Sequence, residues 1–265
     1  MPIPRRVSGG KKGHFDYAYN AQISVDADIQ IIVGQHISQN ANDKQEELPA
    51  LTALQETTGR LPEQMSLDKG YASGNNFQEL ADSGIDAYVA TADKGEKAHK
   101  TDLTHSQRKL VKDDFVFNDA NNTYTCPDGQ VLNMIRASQD GSRVYQGQDD
   151  VCANCIFKNR CCQSEKGHAR TISTDDKEYL RQSMKRKMAT DEAKEIYQQR
   201  KITVEPVFGQ IKNSGFRGFS VRGKDKVAGE FSLVCATHNF KKMVKALFTG
   251  LIRPEFGNYA KSYAI

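Results

Sequence analysis

Two acids draw attention because of their surroundings. Asp68 ends the short apolar run Met65–Leu67 in "QMSLDKGYAS", and the following Gly70 allows a tight exit. Carboxylates at the C-terminal end of a strand are where α/β proteins build ligand sites. Glu205 is the one acid in residues 197–223, "YQQRKITVEPVFGQIKNSGFRGFSVRG", a stretch weighted toward Arg and Lys. A solvated helix face interleaves the two signs, so this imbalance calls for a phosphate, a metal or both. On a helix, Tyr197, Arg200 or Lys201, Glu205 and Lys212 recur at spacings of one or two turns and can share a face. There Glu205 can ligate Mg2+ or Mn2+ while the cations and the Tyr hydroxyl hold phosphates. The plainer roles are a loop-capping Asp68 and a Glu205 paired with Lys201.

Two carboxylates hint at two-metal phosphodiester chemistry, which normally takes a third acid. Asp43 in "NANDK" reads as an N-cap or first-turn residue, and Asp26, on an expected hairpin, is a weak candidate. Around the acid, Arg217 and Arg222 alternate with Phe216 and Phe219. The cations would read DNA phosphates, and the rings would either stack on bases or pack into a core. The cysteines form a second constellation. Cys152 and Cys155 make a C-x2-C pair, Cys161 or Cys162 lies close by, and Cys126 sits in the turn-like "TCPDG". Four thiolates would close a structural Zn2+ site; the alternative is a loop with free thiols. Cys235 lies on an apolar helix face and reads as core.

The elements that must position these residues follow from periodicity. Residues 17–38 give a hairpin jointed at Ala27 and Asp28, "NDKQEELPALTALQETTG" a helix ending at its Gly, and Met65–Leu67 a buried strand. "GNNFQELADSGI" is a helix capped by Asn75 or Asn76, and "DAYVAT" a further strand. The sum is an α/β layer pattern. The charged stretch 93–110 and the short β-like pieces that follow read as an insertion carrying the cysteines. Two helices come next. Asp191 is expected to cap the second, and Pro206 to kink or break it. A last helix places Phe231, Val234, Cys235, His238 and Met243 near one face, and the tail from Gly250 is unpatterned. Boundaries are expected at 1–94 and 173–248 for two parts of one core, 95–172 for the insertion and 249–265 for the tail.

At 265 residues, 38% hydrophobic and 26% charged, the chain is long enough for a sizeable core, and its net charge of +4 is compatible with nucleic acid. No apolar run is long enough to span a bilayer, and the N-terminus has no signal-peptide core. The cytoplasm is the expected compartment, and no membrane partner is expected.

Taken in order, "YNAQISVD…IIV…ND", "LDKGYASGNNF", "CPDGQ…CANC…RCC", "YQQRKITVEPVFGQIK" and "FRGFSVRGKDKV…FSL…THNFKK" resemble the DDE transposases of bacterial insertion sequences, in a branch with a cysteine-bearing insertion before the catalytic Glu. The resemblance spans roughly residues 17–245. It implies an RNase H-like core, a mixed sheet flanked by helices, that cuts and joins double-stranded DNA at transposon ends with Mg2+ or Mn2+. It maps the second acid of the triad to Asp68 and the third to Glu205. A Tyr-Arg-Glu-Lys signature maps to Tyr197, Arg200, Glu205 and Lys212; its Arg-to-Glu gap is one residue longer than usual, so Lys201 can take the Arg role. The resemblance also implies a first Asp on an opening strand, in a "DGT"-like stretch that this sequence lacks. The expectation is therefore a core without its first strand and with weak or no activity alone, or a non-catalytic DNA-binding or regulatory fragment. Expected partners are transposon ends, target DNA, and a second copy or a full-length transposase, at the bacterial nucleoid.

Overall fold

The computed structural model describes residues 19–40, 42–91, 108–162, 164 and 168–249, with the backbone alone at 8–9, 15–16 and 262–264. Most of the charged stretch 93–110 and most of the tail beyond 250 lie outside the described residues. The chain divides into two compact units, one formed by residues 1–91 with 184–265 and the other by residues 92–183.

In the first unit, β1 (Ser8–Gly9) and β2 (Phe15–Asp16) form a two-residue antiparallel ladder. β3 (Asn20–Asp26) and β4 (Ile32–Ser38) form the expected hairpin. Asp26 Oδ1 accepts the backbone N–H groups of Asp28 (3.1 Å) and Ile29 (2.9 Å), and this fixes the turn between the strands. α1 (Glu47–Thr58) ends at Gly59, whose φ of 73° is the left-handed cap that glycine adopts without steric cost. β5 (Gln64–Leu67) leads through Asp68 to α2 (Gly74–Asp82) and β6 (Asp86–Val89). Ser73 caps α2, accepting from the Asn76 N–H at 3.2 Å. Asn76, expected as a cap, is instead buried and donates its Nδ2 to the Tyr71 carbonyl at 2.8 Å.

The second unit is an antiparallel meander. β7 (Val116–Asn118), β8 (Thr123–Thr125), β9 (Val131–Ala137), β10 (Ser142–Gln146) and β11 (Thr171–Asp175) lie side by side in chain order. The short helices α3 (Asp149–Ala153) and α4 (Lys158–Cys161) interrupt it between β10 and β11. Tyr124, Tyr145 and Phe117 stack at its centre, with ring centroids 5.0–6.3 Å apart. The unit runs past the expected boundary at 172, because β11 pairs along its full length with β10. α5 (Glu178–Met188) then leads back to the first unit.

There α6 (Asp191–Asn213) and α7 (Lys224–Phe248) pack on the hairpin. Ile23, Val25, Ile32 and Ile37 meet Val204, Val207 and Ile211 of α6 and Val227, Phe231 and Cys235 of α7 in one apolar cluster. Thr190, not Asp191, caps α6, accepting from the Ala193 N–H at 3.2 Å. Met243 departs from the expected buried face of α7 and is exposed. The helix α6 also runs through Pro206 without a break. Proline leaves the carbonyl four residues back without its helical donor. That carbonyl, Ile202, accepts instead from Gln30 Nε2 at 2.8 Å.

The sheet order is β4-β3-β12-β5-β6, with β12 (Ser262–Ala264) antiparallel to β3 and parallel to β5. The tail thus contributes the central strand, a place its sequence pattern does not announce.

Candidate active site

Asp68 leaves β5 behind a buried Met65-Ser66-Leu67 run, with an extended backbone at ψ 158°. Its Oδ1 accepts the Lys69 N–H at 2.7 Å, so the capping role is real and uses one oxygen. Oδ2 faces α6. The inward residues of that helix, Val204, Val207 and Ile211, are fixed by the core, and this orients its other side. Arg200 Nη2 lies 3.8 Å from Asp68 Oδ2, and Nη1 donates to Glu205 Oε1 at 3.1 Å. One guanidinium, 11% exposed, therefore bridges two carboxylates that are each 53% exposed. The five-residue gap between Arg200 and Glu205 is spanned by the length of the Arg side chain. Lys201 is exposed, so it is Arg200 that reaches both acids.

Tyr197, half-buried on the same helix, has its phenol pKa raised by burial. The Arg200 charge pulls it back, and the charges of Asp68 and Glu205 push it further up. It therefore stays protonated, able to donate a hydrogen bond.

Behind Asp68 lies a polar cluster that spacing alone did not reveal. Asp43 Oδ1 accepts from Asn20 Nδ2 at 2.7 Å and from Gln22 Nε2 at 2.8 Å. Gln22 Oε1 in turn accepts from the Tyr71 hydroxyl. A side chain at Gly70 would meet Asp43 Oδ2 at 2.6 Å, so the glycine of "LDKGY" lets that carboxylate pack close. Burial raises the Tyr71 phenol, with Asp43, Glu46 and Asp68 adding to the rise and Arg200 opposing it. The signal was present in "YNAQ" and "ND", whose polar side chains sit on an otherwise apolar hairpin and at a helix start.

Other expected residues sort differently. Lys212, Arg217 and Arg222 are exposed on α6 and in the connection to α7, and among the described residues no ion pair joins them to Asp68 or Glu205. Phe216 and Phe219 pack into the core, 5.3 Å from each other, with Phe219 6.0 Å from both Phe231 and Tyr19. They are not presented for base stacking. Asp26 is 4% exposed and holds the hairpin turn, so it is no third ligand beside Asp68. His238 is a satisfied core histidine, its Nε2 3.0 Å from the Gln30 carbonyl. Cys126, Cys152, Cys155, Cys161 and Cys162 line one cavity in the second unit. Among the described residues, no three His, Cys, Asp or Glu side chains converge as a ready-made metal group.

The donors at Asp68 and Glu205 nevertheless suit a hard divalent cation. Both are carboxylates, half-exposed, and already face a positive charge between them. No helix among the described residues is long and apolar enough to cross a membrane. A family profile described as transposase DDE domain matches residues 125–244, a span that includes the five cysteines of the second unit, Arg200 and Glu205 and leaves Asp68 outside. No curated protein and no solved structure matches the chain.

Proposed function

We propose that this chain, whose residues 125–244 match the profile of a transposase DDE domain, acts in DNA strand cleavage and transfer at the ends of an insertion sequence. The family implies a DNA substrate and use of divalent metal in general. The finer reading is that Asp68 and Glu205 hold Mg2+ or Mn2+ on an RNase H-like core. One observation carries it: Arg200 contacts both acids, which come from distant parts of the chain.

The chemistry such an ion supplies is polarisation of the scissile phosphate and acidification of the attacking hydroxyl. The chain's own groups do the rest. Asp68 and Glu205 provide oxygen donors at the end of β5 and on α6. Arg200, once displaced from between them, is placed to take a phosphate through its paired N–H groups. Tyr197, kept protonated by burial, donates to a phosphate oxygen. Lys201, Lys212, Arg217 and Arg222 are exposed cations that hold the DNA backbone, so binding should weaken steeply with salt. On this reading the protein works on DNA at the nucleoid.

A second reading is favoured by the lack of a third acid in the group among the described residues: the chain binds DNA without cutting it. A strand-nicking assay with Mg2+ or Mn2+, on a duplex carrying the DNA that flanks the reading frame, separates the two. Cleavage that falls ~100-fold or more in Glu205→Gln supports the first reading. Retention of DNA in a mobility-shift assay, with no nicking in wild type, supports the second. Nicking that is indifferent to both Glu205→Gln and Asp68→Asn contradicts the assignment of the acids.

A further inference from the structure

We propose that the unit of residues 92–183 binds one structural zinc ion through Cys126, Cys152, Cys155 and one thiolate of the vicinal pair Cys161–Cys162. These sulfurs come from three chain segments. Cys126 begins the β8–β9 hairpin turn, Cys152 and Cys155 lie in and just after α3, and Cys161 and Cys162 lie at the end of α4. All five face one cavity of about 200 Å3.

Backbone amides are aimed at the sulfurs. The Gln130 N–H donates to Cys126 Sγ and the Phe157 N–H to Cys155 Sγ, each at 3.3 Å. An amide pointed at sulfur stabilises the thiolate and orients it, as outer-shell donors do around metal ligands. The hairpin turn is shaped for the same purpose. Gly129 sits at φ 76° and donates to the Cys126 carbonyl at 2.9 Å, while the Cys126 N–H donates to the Gln130 carbonyl at 2.8 Å. Gly147 admits Cys152 closely, since a Cβ there would lie 3.1 Å from its Sγ.

Apart from backbone-directed bonds such as Arg160 Nε to the Arg108 carbonyl at 2.9 Å and the Ala169 N–H to Asp149 Oδ1 at 2.7 Å, the local fold has little apolar anchoring. α3 and α4 are five and four residues long, too short to hold as isolated helices. Among the described residues between β10 and β11, only Phe157, Cys161 and Ala169 are buried hydrophobics, and Ile156 is 79% exposed. Burial is the largest of the causes that raise the Cys161 and Cys162 thiols. On loading, four S–H bonds lose their protons to solvent as four S–Zn bonds form, which makes affinity rise with pH. The side chains close around the ion, and α3 and α4 are pinned to the hairpin turn.

The test needs no DNA and stands apart from the reading of the acids. The full chain is purified after growth with Zn2+ and its metal content measured; the expected result is one zinc per chain. Co2+ titrated into metal-stripped wild type should give the intense visible bands of tetrahedral thiolate coordination, a readout that does not depend on any variant folding. Cys152→Ala with Cys155→Ala should lower zinc content at least tenfold, whereas Cys235→Ala, Asp68→Asn and Glu205→Gln leave it unchanged. Single replacement of Cys161 or Cys162 identifies the fourth ligand. Wild type that contains no zinc after refolding with excess Zn2+, Co2+ spectra without thiolate bands, or zinc retained in the Cys152/Cys155 double variant would each overturn the proposal.

Discussion

Glu178 and Glu47 are both buried at the first position of a helix, one in each unit, yet their surroundings are opposite. Glu178 opens α5 beside β11. Lys112 Nζ reaches its Oε2 at 2.6 Å, Thr174 Oγ1 donates to it at 2.8 Å and Arg181 Nε at 3.1 Å, while Gln182 Nε2 donates to Oε1 at 2.8 Å. Burial alone would raise its pKa, but the donors from Gln182, Lys112 and Thr174 and the Lys112 charge outweigh it and bring the group down to about 2. Glu47 opens α1 with both carboxylate oxygens buried and unpartnered. Burial, aided by the Glu79 charge, pushes it up to about 9. The meander, whose apolar cluster is modest, satisfies its buried Glu178 carboxylate with donors from Lys112, Thr174, Arg181 and Gln182. The sheet unit, with its larger apolar core, tolerates a neutral acid where a carboxylate would be costly.

This contrast fixes opposite pH dependences. The folded pKa of Glu178 is depressed, so its contribution is present above the ordinary value of 4.5 and lost as pH falls toward about 2. The folded pKa of Glu47 is raised, so its contribution is complete below 4.5 and lost as pH rises toward about 9. Glu178→Ala should have the largest effect. It takes their buried carboxylate from Lys112 and Arg181, which keep only Thr174 and Asp175 among the described residues, and should destabilise the second unit by about 3 kcal/mol at neutral pH, seen as faster hydrogen exchange across β10 and β11. An unchanged exchange pattern would mean that the network is ornamental. Glu47→Leu should go the other way, stabilising the sheet unit at pH 8 by about 2 kcal/mol in urea unfolding. At pH 4 the gain should shrink. The smallest effect belongs to Gln30→Ala, which leaves the Ile202 carbonyl without its donor beside Pro206 and should cost about 1 kcal/mol.

Gln30 also marks where reading the sequence ends. The hairpin, α1 with its Gly59 cap, β5 and the three long helices all follow from local pattern, whereas Asp68 and Glu205 were joined by the resemblance and the Arg200 bridge between them was not foreseen. Pro206 pointed to a break because the rule is local, while the donor that repairs the carbonyl lies 172 residues away. The caps at Ser73 and Thr190 were misplaced by one to three residues because Asn and Asp neighbours offer similar chemistry. β12 was illegible for a physical reason too: a three-residue strand carries no periodicity, and its place between β3 and β5 is set by what the sheet leaves unpaired. The cluster of Asp43, Gln22 and Tyr71 depends on the hairpin and the β5 exit meeting in space. No spacing in the chain encodes that.

The central claim is that Asp68 and Glu205 form one cation site that Arg200 occupies in the absence of metal. Mn2+ titration of the full chain, followed through the spin-resonance signal of the free ion, tests it most directly. Asp68→Asn and Glu205→Gln should each weaken Mn2+ binding about tenfold, since each removes one of the charged oxygen ligands. Arg200→Ala should tighten it, because the competing guanidinium is gone. Mn2+ affinity that is the same in wild type, Asp68→Asn and Glu205→Gln would contradict the account.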